Sequence, residues 1–523
     1  MPQNGALWFD DLHAMNKRLL FAVAILVSCS SIAQVNPDAK RDYNWVFGHV
    51  DSLPGSGTSV MNFSSSPPFT WSDSNGINLY LTNAAISDTN GGLLFYSNGK
   101  YVGNNSFQVM PHGDSLNYGA LYNLNSDGYM LNQGVVILPY PGHYGQYYII
   151  HERMIPVQIP NPPFSFNKVD GLYYTIVDMS LSNGMGDVVQ GQKNVPVITD
   201  PLDYGKITAV RHGNGRDWWI LVREYDSLNC YHRLLLSPNG LINMGIQCIG
   251  ITGSHPYYGG QAVFSTDGSV YARCFDTSSF ITSRYIEIYS FDRCTGTLSN
   301  ITSFHTLGGL STGEGLSISP DAHFLYFSVK DYLIQYDLTA ANISSSQLIV
   351  ATNDSIGGFY QHLLGPDGKI YIEYGYNKYF SVINNPDSLG VKCNFQQHSY
   401  TIPTNNKFSM PNLPNFRLGN LPGSACDTLI VSVTQPLTRN NAIKVYPNPA
   451  SSIVTFSLDL VNNNHPMRLE IFNSLCQKIK DINLSPYQGL VRLDVQDIAP
   501  GIYFAVLKNE KVVITKCKFC INK

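Results

Sequence analysis

Five stretches of the chain repeat one phrase: a few apolar residues, a polar turn containing Asp or Asn, then alternating apolar and polar residues. They are AISDTNGGLLFYS from Ala85, LLSPNGLINMG from Leu235, VFSTDGSVYAR from Val263, SISPDAHFLYFSV from Ser317 and LLGPDGKIYIEYG from Leu363. Proline presets the first turn angle, Asp or Asn bonds back to the backbone, and Gly accepts positive φ. The alternation after the turn, as in Lys369-Ile370-Tyr371-Ile372, marks a strand with one buried face. Each phrase therefore predicts a β-hairpin. VVILPYPGHYGQYYIIHE from Val135 and ITAVRHGNGRDWWILVRE from Ile207 set a Gly-containing turn between two apolar runs in the same way. The phrases recur at roughly 25 to 55 residues, the range of propeller blades with unequal loops. Second hairpins lie between them, YIEIYSFDRCTGTLSNI from Tyr285 and YLIQYDLTAANIS from Tyr332, and two hairpins make one four-stranded blade. Residues 41–425 are thus expected to form an all-β, six- or seven-bladed β-propeller, with seven preferred. The early strand NWVFG, Asn44 to Gly48, would close the ring near LPNFR, Leu413 to Arg417, and so remove exposed sheet edges. A pair of β-sandwiches is the alternative, because repeated hairpins serve both architectures.

The two ends read differently. Met15 to Gln34 is MNKRLLFAVAILVSCSSIAQ, with Lys17 and Arg18 ahead of the apolar run Leu19–Val27. That run is too short for a stable anchor, and Ser31-Ile32-Ala33 fits the small-x-small cleavage rule, so 15–33 is expected to be a signal peptide with Met15 as the natural start. Leu26-Val27-Ser28-Cys29 also has the form of a lipobox, which would lipidate Cys29. After Cys426 a polar linker, 426–441, leads into 442–523. There Pro447 and Pro449 bracket Asn448 in a rigid turn, and about seven short strands follow, the spacing of a small Ig-like β-sandwich.

Composition narrows the function classes. Charged residues are only 13 % and the net charge is -4 with no Lys/Arg run, which argues against nucleic acid as a partner. Gly, Pro, Tyr and Phe are abundant, as short strands joined by turns require. Ten cysteines in an exported chain are compatible with disulfides. Their order suggests the local pairs Cys230–Cys248, Cys274–Cys294 and Cys393–Cys426, one arrangement among several. Cys517 and Cys520 have C-x-x-C spacing without a second ligand pair, so pairing or burial is expected rather than a metal. No cofactor is expected.

The tail resembles the type A sorting domain of type IX secretion. The matching marks are VYPNPASS at Val445–Ser452, with Tyr446, Pro447, Asn448 and Pro449; IFNSLCQKI at Ile471–Ile479; and DIAPGIYFAVL at Asp497–Leu507, with Gly501 and Tyr503. A basic end, Lys511–Lys523, also fits, while Cys476 and the Cys517/Cys520 pair depart from the pattern. The resemblance implies export through the periplasm to the outer surface or beyond, the type IX translocon as a partner, and removal of the tail. No integral membrane segment is expected in the mature chain. The Ser-Pro-Asp-Gly phrases resemble WD-like propellers of the Tol-type group. NWVFG, SDTNGGLLFYSNG, ITAVRHGNGRDWWI, FDRCTGTLSN and LPNFRLG resemble exported propellers found beside sorting domains. That likeness speaks to fold, since propellers host hydrolases, lyases and binding modules alike.

Candidate chemistry is sparse. A serine-hydrolase elbow is not expected, no H-E-x-x-H motif occurs, and the turns lack the register and the Trp of a sialidase Asp-box. Channel or rim candidates are Glu314 in GLSTGEGLSIS, Arg211 and His212 beside a Gly-rich turn, and His151 with Glu152 after the strand YYII; each is also readable as an ordinary turn or surface residue. The expectation is a non-catalytic module binding protein or glycan. The alternatives are a propeller glycan lyase or hydrolase, and a structural component of the surface or gliding apparatus.

Overall fold

A computed structural model describes residues 36–49, 54–122, 128–160, 163–225, 229–250, 259–276, 284–306, 315–354, 357–427, 443–458, 467–474, 477–485, 489–509 and 513–523. The signal sequence with Cys29, Glu314, the linker beyond Asp427 and Cys476 lie outside them. The chain divides into two compact units, 1–428 and 429–523. Among the described residues, no helix is long and apolar enough to cross a membrane.

Among the described residues the first unit contains seven antiparallel sheets, each a meander in sequence order. Their leading strands are Asn44–His49, Ala84–Ser87, Val135–Pro139, Thr208–Arg211, Ala262–Phe264, Gly315–Ile318 and His362–Leu364. The third sheet carries an extra strand, Val195–Ile198, on its long strand Pro163–Asp178. Four of the five turn phrases join the first two strands of a sheet; LLSPNGLINMG instead joins the last two strands of the fourth. NWVFG opens the first sheet and packs beside the seventh.

Packing explains why some strands read as unbroken apolar runs. Trp218-Trp219-Ile220-Leu221-Val222 is buried throughout. Trp218 and Ile220 face the core shared with the second and third sheets, while Trp219 and Leu221 face the fifth. A strand buried on both faces has no polar face to alternate with. The same sharing links the fifth sheet to the sixth and the sixth to the seventh. It returns to the start: Trp45, Phe47, Met61 and Phe63 of the first sheet pack with Tyr371, Phe380, Val382 and Ile402 of the seventh. Trp45 meets Tyr371 edge-on at 5.5 Å between ring centroids.

Among the described residues two disulfides fix the unit, Cys230–Cys248 and Cys294–Cys426. The first is the expected local pair, between directly opposed residues of a hairpin. The other two expected pairs are corrected. Cys294 reaches Cys426 instead, leaving Cys274 and Cys393 as buried thiols. Cys274 belongs to the apolar core between the fifth and sixth sheets, which keeps it from Cys294 at a turn.

The described residues of the second unit form two sheets. One holds Ile443–Tyr446, Ile453–Leu458 and Leu490–Asp494; the other holds Met467–Asn473, Lys478–Leu484, Gly501–Asn509 and Val513–Ile521. Val454, Phe456, Leu469, Ile471, Ala505, Leu507 and Phe519 form their common core. Cys517 and Cys520 are free thiols, not a pair. An odd spacing along one strand turns them to opposite faces.

Candidate functional site

The leading strands of the first unit expose one edge each, and side-chain carboxamides fill the space between them. Gln133 Nε2 donates to the Ala262 carbonyl at 2.9 Å while Gln133 Oε1 accepts from the Ala262 N–H at 2.8 Å. Gln261 Nε2 donates to the His362 carbonyl at 3.1 Å, and Gln261 Oε1 accepts from the N–H groups of Leu316 and His362 at 3.0 and 2.8 Å. Asn412 Nδ2 donates to the carbonyls of Val135 and Ile207, both at 2.9 Å. Asn83 Nδ2 donates to the Val46 carbonyl at 2.8 Å and to Ser409 Oγ at 2.9 Å. The segment around Ser409–Arg417 therefore runs among the leading strands and ties them together. Buried peptide edges need such partners, and neutral amides supply both a donor and an acceptor.

Beside this network lies a cavity of about 330 Å³. Its walls come from the leading strands and first turns of the fourth to seventh sheets and from Met410–Arg417. Among its described lining residues the ionisable groups are Asp42, His362 and Arg417. Asp42 and Arg417 pair with each other at 2.7 Å. His362 is buried and its imidazole is pushed down to about 3, so it is neutral; Nδ1 lies 3.2 Å from Ser317 Oγ, and Nε2 has no partner. The described lining residues thus carry no net charge.

The sequence-predicted residues are dispersed. Arg211 is buried, lies 3.9 Å from the Trp218 ring and pairs with Asp38 at 2.8 Å. His212 accepts the Asn214 N–H through Nδ1 and contacts the Cys294 carbonyl through Nε2 at 3.1 Å, which holds its turn. His151 is fully buried between Asn117 Oδ1 at 2.7 Å and Thr175 Oγ1 at 3.0 Å, and burial pushes it down to about 3. Glu152 is also buried; its Oε2 accepts the Gly205 N–H at 2.8 Å, and burial pushes its carboxyl well up. None of these four lines the cavity.

Sequence reading passed over two further features. Asp203 lies among Lys206, Arg223 and Arg273; burial pushes its carboxyl up, but the three cations together hold it below the ordinary range. Arg273 Nε also reaches Glu287 Oε2 at 2.8 Å. This is a closed ionic cluster, with its charges committed to one another. The second feature is Gly309-Leu310-Ser311-Thr312-Gly313, which has the G-x-S-x-G form and lies outside the described residues. A nucleophile elbow needs a helix after it, and the next element here is the strand Gly315–Ile318.

Glu373 is a buried carboxyl with one oxygen on the Gly375 N–H at 2.7 Å and the other without a partner. Burial pushes it up to about 7. The folded state therefore holds this proton where the unfolded chain has lost it. Stability from this group is full below the unfolded value of about 4.5 and is lost as pH rises towards 7. Glu373→Gln should remove that loss, on the order of 3 kcal/mol, in urea melts compared at pH 4.5 and pH 8. Equal pH dependence in both proteins would refute it.

In the second unit the Tyr446–Ala450 segment is fastened to the last strand. Asn448 Oδ1 accepts the Cys520 N–H at 2.8 Å, and the Ala450 N–H donates to the Cys520 carbonyl at 2.8 Å. Tyr503 is buried and donates its hydroxyl to the Ala499 carbonyl at 2.7 Å. Residues 444–522 match the family model described as the secretion system C-terminal sorting domain. The second unit is a sorting domain. It directs export by type IX secretion to the cell surface or the extracellular space. Asn448 and Tyr503, two of the residues that the sorting-domain resemblance rests on, thus hold turns of this unit in place.

No curated protein matches the chain. Solved structures similar to it include Saccharomyces cerevisiae Sqt1, at 12 % identity and TM-score 0.34, covering 66 % of this chain and 84 % of that one. A putative TolB from Agrobacterium tumefaciens is similar at 16 % identity and TM-score 0.25, covering 50 % and 85 %. An exo-β-1,3-galactanase from Phanerochaete chrysosporium is similar at 8 % identity and TM-score 0.32, covering 76 % and 96 %. At these scores no activity is carried over.

Proposed function

We propose that the first unit is a seven-bladed β-propeller, spanning about 41–425, that works outside the cell as a non-catalytic module binding a protein or glycan ligand. The sorting domain, read as an Ig-like sandwich of 442–523, delivers it there. The observation that carries the reading is the uncharged cavity beside the carboxamide network. Among its described lining residues the one carboxylate and the one arginine neutralise each other, and the remaining polar groups are hydrogen-bonding amides, hydroxyls and a neutral imidazole. Such a wall suits recognition of a neutral ligand. Seven sheets whose shared cores run from first to last and back support the ring. The Glu314, Arg211, His212, His151 and Glu152 positions are not proposed as ligand contacts.

The purified full chain should capture discrete ligands on combined glycan and peptide arrays, and a cavity-narrowing Thr266→Trp variant should lose that capture at an unchanged melting temperature. Capture unaffected by the variant would move the site elsewhere; a blank array would remove the binding reading. The linker 426–441, polar and between two independent cores, is the proposed place where the sorting domain is cut away after export. Mass spectrometry of the surface form should find a C-terminus there, and an intact Lys523 end would refute the cut.

A further inference from the structure

The hydrogen-bond parity of the leading strands shows which peptide groups face the cavity. In the fifth sheet the Ser265 N–H donates to the Val270 carbonyl and the Cys274 N–H to the Gln261 carbonyl. Residues 261, 263 and 265 therefore bond within the sheet, and the peptide groups of Ala262 and Phe264 turn away from it. The same parity follows in the sixth sheet from Ser319 to Phe324, in the seventh from Gly365 to Lys369 and Glu373 to Gln361, and in the fourth from His212 to Asp217. Two levels of outward-facing peptides result. The first comprises Ile207, Ala262, Leu316 and His362, and its groups meet Gln133, Gln261 and Asn412. The second comprises Ala209, Phe264, Ile318 and Leu364. All four line the cavity, and no hydrogen bond from their outward peptide groups is found among the described residues.

We infer that the cavity receives a neutral peptide ligand through a primary carboxamide, the side chain of Gln or Asn. This rests on the binding reading above and names its ligand class. The first level shows the chemistry that fits: the amides of Gln133 and Gln261 each accept an N–H and donate to the carbonyl of one and the same residue, Ala262 and His362 respectively. A primary amide can do this because one of its N–H bonds lies on the same side as its C=O. A trans secondary amide points its N–H and C=O in opposite directions and cannot. Phe264 and Leu364, two residues further along the same strands, offer the same N–H and carbonyl pair to a ligand. The cavity volume of about 330 Å³ accommodates a Gln side chain with part of its backbone. Asp42 and Arg417 at the wall are already paired, so a charged ligand gains no partner there.

The test uses the full chain, isothermal titration and hydrogen exchange read by mass spectrometry. The probes are N-acetylglutamine methylamide, its analogue methylated on the side-chain nitrogen, and N-acetylglucosamine, whose amide is secondary. The unmethylated glutamine probe should bind at least about tenfold more tightly than the other two, the difference made by a pair of neutral hydrogen bonds. It should slow exchange in peptides covering 262–264, 315–318 and 362–364 and leave 513–521 unchanged. Equal affinity for the three probes, protection elsewhere, or no binding by any of them would overturn the carboxamide inference. Array ligands lacking a primary amide, captured at the cavity, would overturn it while leaving the binding reading in place.

Discussion

Truncation after Asp427 is expected to abolish appearance of the protein at the cell surface while leaving the first unit folded. Among the described residues, the hydrophobic core of the sorting domain is built from its own residues, Ala450 to Ile521. Loss of the domain should therefore leave the melting temperature of 1–427 within experimental error of the same transition in the full chain. Export should fall to background, because the matched family segment, 444–522, has gone. Fractionation and surface labelling in a type IX-competent host would measure it, with the truncated chain accumulating in the periplasm. The converse fusion, 442–523 placed behind a signal peptide and a passenger, should reach the surface. A truncated chain still displayed outside would contradict the assignment.

What was legible in the sequence was local. The turn phrases encode their own geometry: Ser265 Oγ donates to Asp267 Oδ1 at 2.5 Å, and the same carboxylate oxygen accepts the Ser269 N–H at 3.0 Å. Cys230 and Cys248 face each other across one hairpin, so nearest-neighbour order found them. Cys294 and Cys426 are 132 residues apart, and no local pattern joins them. The carboxamide network was missed because each member is one polar residue beside an apolar run. A signal was present nonetheless. Asn83 and Gln261 each stand immediately before a leading strand, and Gln133 stands two residues before another. Burial also misled: His151 and Glu152 read as rim or surface residues, yet their strand is buried from Tyr147 to Glu152.

Cys426→Ser is expected to be the most destabilising single change in the first unit. The Cys294–Cys426 bond closes a loop of 132 residues, against 18 for Cys230–Cys248. Loop-closure entropy assigns roughly 5 kcal/mol to the longer loop and roughly 3 to the shorter. The longer bond also anchors the segment that threads the leading strands through Asn412 and Ser409. Its loss should therefore free that segment as well as enlarge the unfolded ensemble. Calorimetry should show Cys426→Ser melting about 5 °C or more below the wild type, and further below it than Cys248→Ser. The order reversed, or no shift in either variant, would show that the first unit is held without this bond.

The central claim, that the exported first unit binds its ligand without transforming it, is tested most directly by the fate of a captured ligand. A ligand identified on the arrays is incubated with the purified full chain, recovered and weighed by mass spectrometry. The account predicts quantitative recovery at unchanged mass, with hydrogen-exchange protection confined to the cavity strands. Recovery of a cleaved or eliminated product, formed by the wild type and lost in a cavity variant, would contradict it and make the first unit an enzyme.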